Sequence, residues 1–179
     1  MSDLQIVDAS DQDRDAVMRV ERDAFGRDDE PHLVDLLLRD PSARPTCSLL
    51  ALDAARPVGH VLFTRATVRG AVRAVSAAIM APLAVIPTFQ RRGVGRALIE
   101  DGAARLAAAG VELVFVLGDP GYYARCGFEP ALPQGLAAPY PIVPEAAWRV
   151  RALAPGVLGT IRGTVGCAAA LDAPEYWRE

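Results

Sequence analysis

Between residues 82 and 109 the chain passes from an apolar strand candidate, through a turn of arginines and glycines, into an amphipathic helix candidate. No other stretch restricts the fold as much. The strand candidate is Pro82-Leu83-Ala84-Val85-Ile86-Pro87, the turn is Gln90-Arg91-Arg92-Gly93-Val94-Gly95-Arg96-Ala97, and the helix runs from Val94 to about Ala109. A strand that enters a helix through glycines makes a cradle for an anion. The first helical N–H groups have no intrahelical partner and point toward the turn. The helix dipole adds partial positive charge there. Glycine lets the backbone approach a phosphate without a Cβ in the way. Arg91, Arg92 and Arg96 add charge that matches a pyrophosphate or a 3'-phosphate.

Several phosphate sites use this physics, and spacing separates them. A Walker A loop ends in Gly-Lys-Ser/Thr, and this chain has no lysine. A dinucleotide fingerprint reads Gly93-Val94-Gly95-Arg96-Ala97-Leu98, with Leu98 where a third glycine belongs. Asp119 at the end of the next strand keeps that reading open. Against it, such a fingerprint normally sits on the first strand of its fold, and here about half the chain precedes it. The pattern left is Gln/Arg-x-x-Gly-x-Gly/Ala after a Leu-x-Val strand. It resembles the acyl-CoA motif of the GNAT superfamily of N-acetyltransferases. A second segment, Tyr122-Tyr123-Ala124-Arg125-Cys126-Gly127-Phe128, resembles the aromatic-Tyr-x-x-x-Gly-Phe run after the fifth GNAT strand. Leu117-Gly118-Asp119-Pro120-Gly121-Tyr122-Tyr123, with the stretch from Trp148 to Val165, resembles the YhbS-type bacterial branch of that superfamily.

The resemblance implies an α/β (α+β) GNAT fold: a mixed central sheet of about seven strands, flanked by helices, whose parallel fourth and fifth strands splay apart. It implies acetyl-CoA as cosubstrate and no metal. On this mapping Leu83, Ala84 and Val85 offer backbone N–H and C=O groups to the pantetheine arm and the thioester. Arg91, Arg92, Gly93, Val94, Gly95 and Arg96 offer backbone N–H groups to the pyrophosphate. Gly95 sits where the backbone passes close to the phosphates. Tyr123 falls where GNAT enzymes keep a tyrosine beside the CoA sulfur. A phenol stays protonated at pH 7 and can donate to a departing thiolate. Tyr122 reads as the core aromatic of the pair, and Gly127 and Phe128 as a turn residue and a packing residue.

The general base is not evident. His60 has a suitable pKa, although a histidine on an apolar strand is more often a satisfied core residue. Glu21, Asp23 and Glu145 read as surface charges able to reach an acceptor through water. Many GNAT enzymes carry an Asn seven residues before the tyrosine, and here that position is Val116. Asp119 either substitutes for that loop's contact to CoA or caps the next helix, and capping fits it better. The acceptor reads only as a small amine or peptide. A non-catalytic acyl-CoA-sensing module and a dinucleotide-dependent oxidoreductase are the alternatives. The oligomeric state stays open, though GNAT domains commonly form homodimers.

Composition narrows the class further. The 179 residues suit one domain, with enough chain for a sizeable core. A net charge of −3 argues against nucleic-acid binding, which leaves a basic footprint. Cys47, Cys126 and Cys167 are scattered and odd in number, as expected for reduced thiols in the cytoplasm. No leader and no apolar run of about 18–20 residues is present, so no membrane association is expected.

Along the chain, strands are expected at Leu4–Val7, 47–53, 58–68, 78–85, 112–117, 148–153 and 163–168. Ala54-Ala55-Arg56-Pro57 is the expected turn between the second and third. Helices are expected over about 12–24, capped by Ser10 and Asp13 with Ala16, Val17, Val20 and Ala24 inward, and from Pro31 onward. Residues 130–144 read as a long loop.

Overall fold

The structure, a computed structural model, describes residues 3–178. Strands β1 (Leu4–Asp8), β2 (Cys47–Asp53), β3 (Arg56–Arg69), β4 (Ala77–Val85) and β5 (Leu113–Leu117) lie side by side in chain order. Beyond β5 come β8 (Trp148–Ala152) and the two-residue β6 (Glu129–Pro130). Within this path β4–β5 is the one parallel pair. Helices α1 (Arg14–Phe25) and α2 (Asp29–Arg39) precede β2, α3 (Val94–Ala108) joins β4 to β5, and the short α4 (Pro120–Arg125) follows β5.

The period-2 alternation of β3 separates the helices onto opposite faces. His60 bonds to Glu21 of α1 on one face. A Cβ on its neighbour Gly59 would meet Val94 and Leu98 of α3 on the other. The start of α1 follows the expected cap: the Asp13 carboxylate accepts from both the amide and the hydroxyl of Ser10, at 2.7 and 3.0 Å.

Three features differ from the sequence reading. The sheet system has nine strands, not about seven, because the 130–144 stretch contributes to β6 and forms β7 (Leu136–Ala137). β9 (Gly163–Gly166) does not extend the sheet beside β8. It pairs with Thr67–Arg69, the overhanging end of the 14-residue β3, and with β7. The β2–β3 turn is only Ala54-Ala55, both in the left-handed region (φ 46° and 67°), while Arg56 and Pro57 already pair with Asp53 and Leu52. Two positive φ values match the right-handed twist of a hairpin, and here alanine takes the place of the usual Asn-Gly.

Glu21 is a further departure. It was read as a surface charge, yet it lies fully buried on the inner stripe of α1 with Val17 and Val20. Its Oε1 accepts from Nδ1 of His60 at 2.5 Å, and Ser48 Oγ lies 2.9 Å from Nε2 of the same ring. Desolvation raises the Glu21 pKa above its ordinary 4.5, partly offset by His60 and reinforced by the nearby Glu30 carboxylate. This carboxyl therefore favours the fold most below its unfolded pKa, and that contribution is lost as pH rises through the folded value. Replacing His60 with leucine would strand a buried carboxylate, at a cost of about 3–5 kcal/mol at neutral pH. Denaturant unfolding should find that loss shrinking as pH falls and Glu21 takes a proton. Adding Glu21→Leu to His60→Leu should recover much of it at pH 7. A double variant no more stable than the single one would remove the Glu21–His60 contact from the account.

Candidate functional site

β4 and β5 pair over only three residues: Ala77 with Leu113, Ala78 with Val114, and Ile79 with Phe115. Beyond that point β5 turns to β8 alone, and β4 continues to Val85 with β3 on one edge and no strand on the other. The β3 side shifts register between Val61 and Phe63, which turns the open part of β4 relative to its start. Leu83, Ala84 and Val85, opposite Val61, His60 and Gly59, thus lie on an edge with vacant hydrogen-bonding groups. One group departs from the expectation: the Val85 carbonyl already accepts the Gln90 side-chain amide at 3.0 Å.

The cradle follows directly. After the turn Pro87–Phe89, Arg91 adopts φ +61° and Gly93 φ +83°, and α3 begins at Val94. A left-handed arginine costs on the order of 1–3 kcal/mol, and strain of this kind gathers at functional turns. Gly93, as N-cap, has no side chain to close the helix end, and among the described residues no acceptor takes the amides of Val94, Gly95 or Arg96 outside the helix. Arg91, Arg92 and Arg96 are exposed and form no salt bridge among the described residues. Elsewhere Arg105 and Arg151 are tied to carboxylates. Arg92 lies over the Phe89 ring, 5.0 Å from its centroid. Free amides, a positive helix end and unpaired guanidiniums suit a polyanion.

Both tyrosines of the second motif are half-buried on α4, and each rests on a glycine. A Cβ on Gly95 would come within 2.5 Å of the Tyr122 hydroxyl oxygen, and one on Gly118 within 2.5 Å of the Tyr123 ring. The Tyr122 hydroxyl, where α4 packs on the first turn of α3, is thus one reason for glycine at 95, beside the expected close approach of a phosphate. Burial raises the pKa of Tyr122, with contributions from Cys126. Tyr123 stands edge-on to Tyr122 and to the buried Phe128, with centroids 5.0 and 5.7 Å apart. It lines a cavity together with Met80, Leu83 and Val116, at the mouth of the strand gap. Asp119 caps α4, its Oδ1 accepting from the amides of Gly121 and Tyr122 at 2.7 and 3.2 Å. Gly118 and Tyr122 were missed as supports. Glycine spacing was the available signal, but it does not reveal which ring fills the missing Cβ.

The four candidate bases do not converge. His60 and Glu21 hold each other in the core, Asp23 and Glu145 are exposed, and none lines the cavity beside Tyr123. The cysteines are free, with burial pushing Cys47 and Cys167 up to about 11. Among the described residues no group of three or more His, Cys, Asp or Glu is arranged to hold a metal, and no helix is long and apolar enough to cross a membrane.

The Gly95–Tyr122 contact has a direct test. Gly95→Ala should lower stability and disturb the cradle, because the new methyl overlaps the hydroxyl. Adding Tyr122→Phe removes that oxygen and leaves the ring carbon behind it at 3.7 Å, an ordinary contact. Alanine is favoured over glycine within a helix by about 1 kcal/mol, so the double variant should melt at or above the parent. A double variant as unstable as Gly95→Ala would show that something other than Tyr122 needs this glycine.

Comparison with known proteins matches this geometry. Residues 45–130 match the family described as acetyltransferase (GNAT) domain. The uncharacterized N-acetyltransferase YjhQ of Escherichia coli is 47% identical over 164 residues, covering 90% of this chain and 87% of the relative. Its counterpart YhbS, from the same species, is 34% identical over 80% of this chain and 84% of its own. The crystal structure of Escherichia coli YhbS in complex with CoA superposes with a TM-score of 0.86 at 30% identity, covering 95% and 92% of the two chains. A Brucella melitensis GNAT acetyltransferase in complex with acetyl-CoA gives 0.75 at 27% identity, over 96% and 100%. The dinucleotide alternative does not survive, since the glycine turn follows the fourth strand of a largely antiparallel sheet. With the splayed β4–β5 pair, the cradle and these relatives in agreement, the chain is a member of the GNAT superfamily of N-acetyltransferases.

Proposed function

We propose that this enzyme moves an acetyl group from acetyl-CoA directly to a primary amine of a small molecule or peptide, with Tyr123 as general acid. The observation that carries this reading is the open stretch of β4 with Tyr123 at its mouth, next to a polyanion cradle at the start of α3. The solved relatives that contain CoA or acetyl-CoA share the fold over nearly the whole chain, which supports the same donor here. The amides of residues 91–96 hold the pyrophosphate, and the arginine side chains add a weaker, salt-sensitive attraction. Leu83, Ala84 and the amide of Val85 take the pantetheine arm as a further strand would be taken.

When bound, acetyl-CoA supplies an activated thioester carbonyl. The amine nitrogen forms a bond to that carbon, and the carbon–sulfur bond breaks. The Tyr123 hydroxyl gives its proton to the leaving sulfur, and the proton released by the amine restores the phenol. The products are an amide and CoA thiol. None of the four candidate bases lines the cavity, and the amine must be neutral when it attacks. A purely acyl-CoA-sensing role is the second reading, and the presence of Tyr123 weighs against it.

Tyr123→Phe keeps the ring and removes only the proton. Its kcat should fall by about 10²–10⁴-fold while the CoA dissociation constant barely moves. Tyr122→Phe should change turnover little and serves as the control. Unchanged kcat in Tyr123→Phe, with chemistry limiting the rate, would leave this tyrosine a packing residue. Single alanine changes at Arg91, Arg92 or Arg96 should weaken CoA binding several-fold, and less at high salt, as calorimetry at two ionic strengths would measure.

A further inference from the structure

We infer that the acceptor is an amine carried on an apolar, aromatic or branched body, and that the C-terminal segment 171–178 is the wall that selects this body. The inference rests on the acetyltransferase reading above and deepens it. The cavity beside Tyr123 has a volume of about 750 Å³. Its floor is the open stretch of β4 and the end of β5, with Met80, Leu83, Val116 and Leu117. Leu33 and Phe25 stand on the helical side, and Leu171, Tyr176 and Trp177 on the C-terminal side.

Most charges of this cavity sit at its rim, and the one largely buried carboxylate, Glu30 at 15% exposure, is paired with Arg27. Arg27 and Asp29 have side chains 63% and 85% exposed, and Arg27 is occupied by an ion pair with Glu30. Glu175, Arg178 and His32 are exposed as well. With Asp29, Glu30 and Glu175 against Arg27 and Arg178, the rim carries one net negative charge when His32 is neutral. Such a rim attracts an ammonium from solvent and repels an anionic acceptor. The floor then offers side chains that bind an apolar body and no charged group to hold a cation. A hydrophilic body laid on that floor would lose water and gain no polar side-chain partner from Met80, Leu83, Val116 or Leu117. The donor cradle is the opposite, with three arginines unpaired among the described residues, so the two ends of the site sort donor from acceptor by charge.

The wall is fastened on both sides. The Trp177 indole donates to the Leu171 carbonyl at 3.0 Å and stands edge-on to Trp148, which stacks on Phe115 at 5.2 Å. Phe115 is the last residue at which β5 still pairs with β4. At the other end, the amides of Ala169 and Ala170 donate to Ser42 and Asp40, just past α2, both at 2.8 Å. The backbone on both sides of Tyr176 is therefore tied down, and Tyr176 and Phe25 line the same cavity from different elements.

The test uses the full chain saturated with CoA, with amine binding measured by calorimetry, and in parallel acetyl-CoA turnover measured by CoA release. The probes are 2-phenylethylamine, ethanolamine and spermidine. One methylene in an apolar pocket changes selectivity by about 10–200-fold, so 2-phenylethylamine should exceed ethanolamine by about 10²-fold or more in kcat/KM and should bind more tightly. Tyr176→Ala, and separately Phe25→Ala on the exposed opposite wall, should each cut kcat/KM for 2-phenylethylamine about tenfold and leave the CoA dissociation constant unchanged. Equal or better binding and turnover of ethanolamine or spermidine overturns the inference. So does a preference for long-chain acyl-CoA with no gain from the amine's apolar body, which would give this surface to the donor. Selective binding of 2-phenylethylamine with no acetylation of any amine upholds the wall's chemistry and overturns the amine-transfer reading instead.

Discussion

The loss of β4's parallel partner after Ile79 is the constraint on which the rest of the molecule depends. Inside a sheet, a strand edge without hydrogen-bond partners is costly unless something else completes it. Here the edge runs from Met80 to Val85, and the neighbouring elements are arranged around it rather than over it. β5 leaves to pair with β8, α4 places Tyr123 at the mouth, and the C-terminal segment closes the far side of the cavity. A β4–β5 pairing continued past Ile79 would leave no gap between the two strands. The proposed donor site is this missing segment of sheet.

Two glycine–aromatic contacts carry that arrangement to the reacting end. Tyr122 fills the space over Gly95 and so joins the cradle helix to α4, while Tyr123 fills the space over Gly118 and is steadied by Phe128. Arg151 strengthens the same junction, bonding Glu100 of α3 and the carbonyl of Cys126 after α4. A shift of α3 would therefore be passed to Tyr123 through rigid rings rather than flexible chains. The first turn of α3 and the α4 tyrosines are thus packed together through these contacts.

The opposite face of the sheet is stabilised in a different way. Glu21, His60 and Ser48 place three polar groups under α1 where an apolar stripe was expected. A buried pair of this kind is weak evidence for stability, because desolvation offsets most of its attraction. It does fix how α1 sits on β2 and β3, since the bond lengths leave little freedom. That helix ends at Phe25, so the same pair sets where the helical side of the cavity begins.

The sequence by itself determined the strand–turn–helix cradle, the parallel β4–β5 centre, the tyrosine motif and the capping role of Asp119. Each of these is written in short-range spacing, where a turn needs glycine or a cap needs a carboxylate within a few residues. Tertiary structure decided what those residues touch. Nothing local tells that Gly95 makes room for Tyr122, 27 positions away, or that Glu21 turns inward to meet His60. Nor does local pattern reveal that β9 joins the overhang of β3, because the length of β3 beyond β4 appears only once the sheet is assembled. The C-terminal side of the cavity is likewise a product of assembly: Leu171, Tyr176 and Trp177 reach it where Trp177 packs against Trp148 and Asp40 holds the backbone at Ala170.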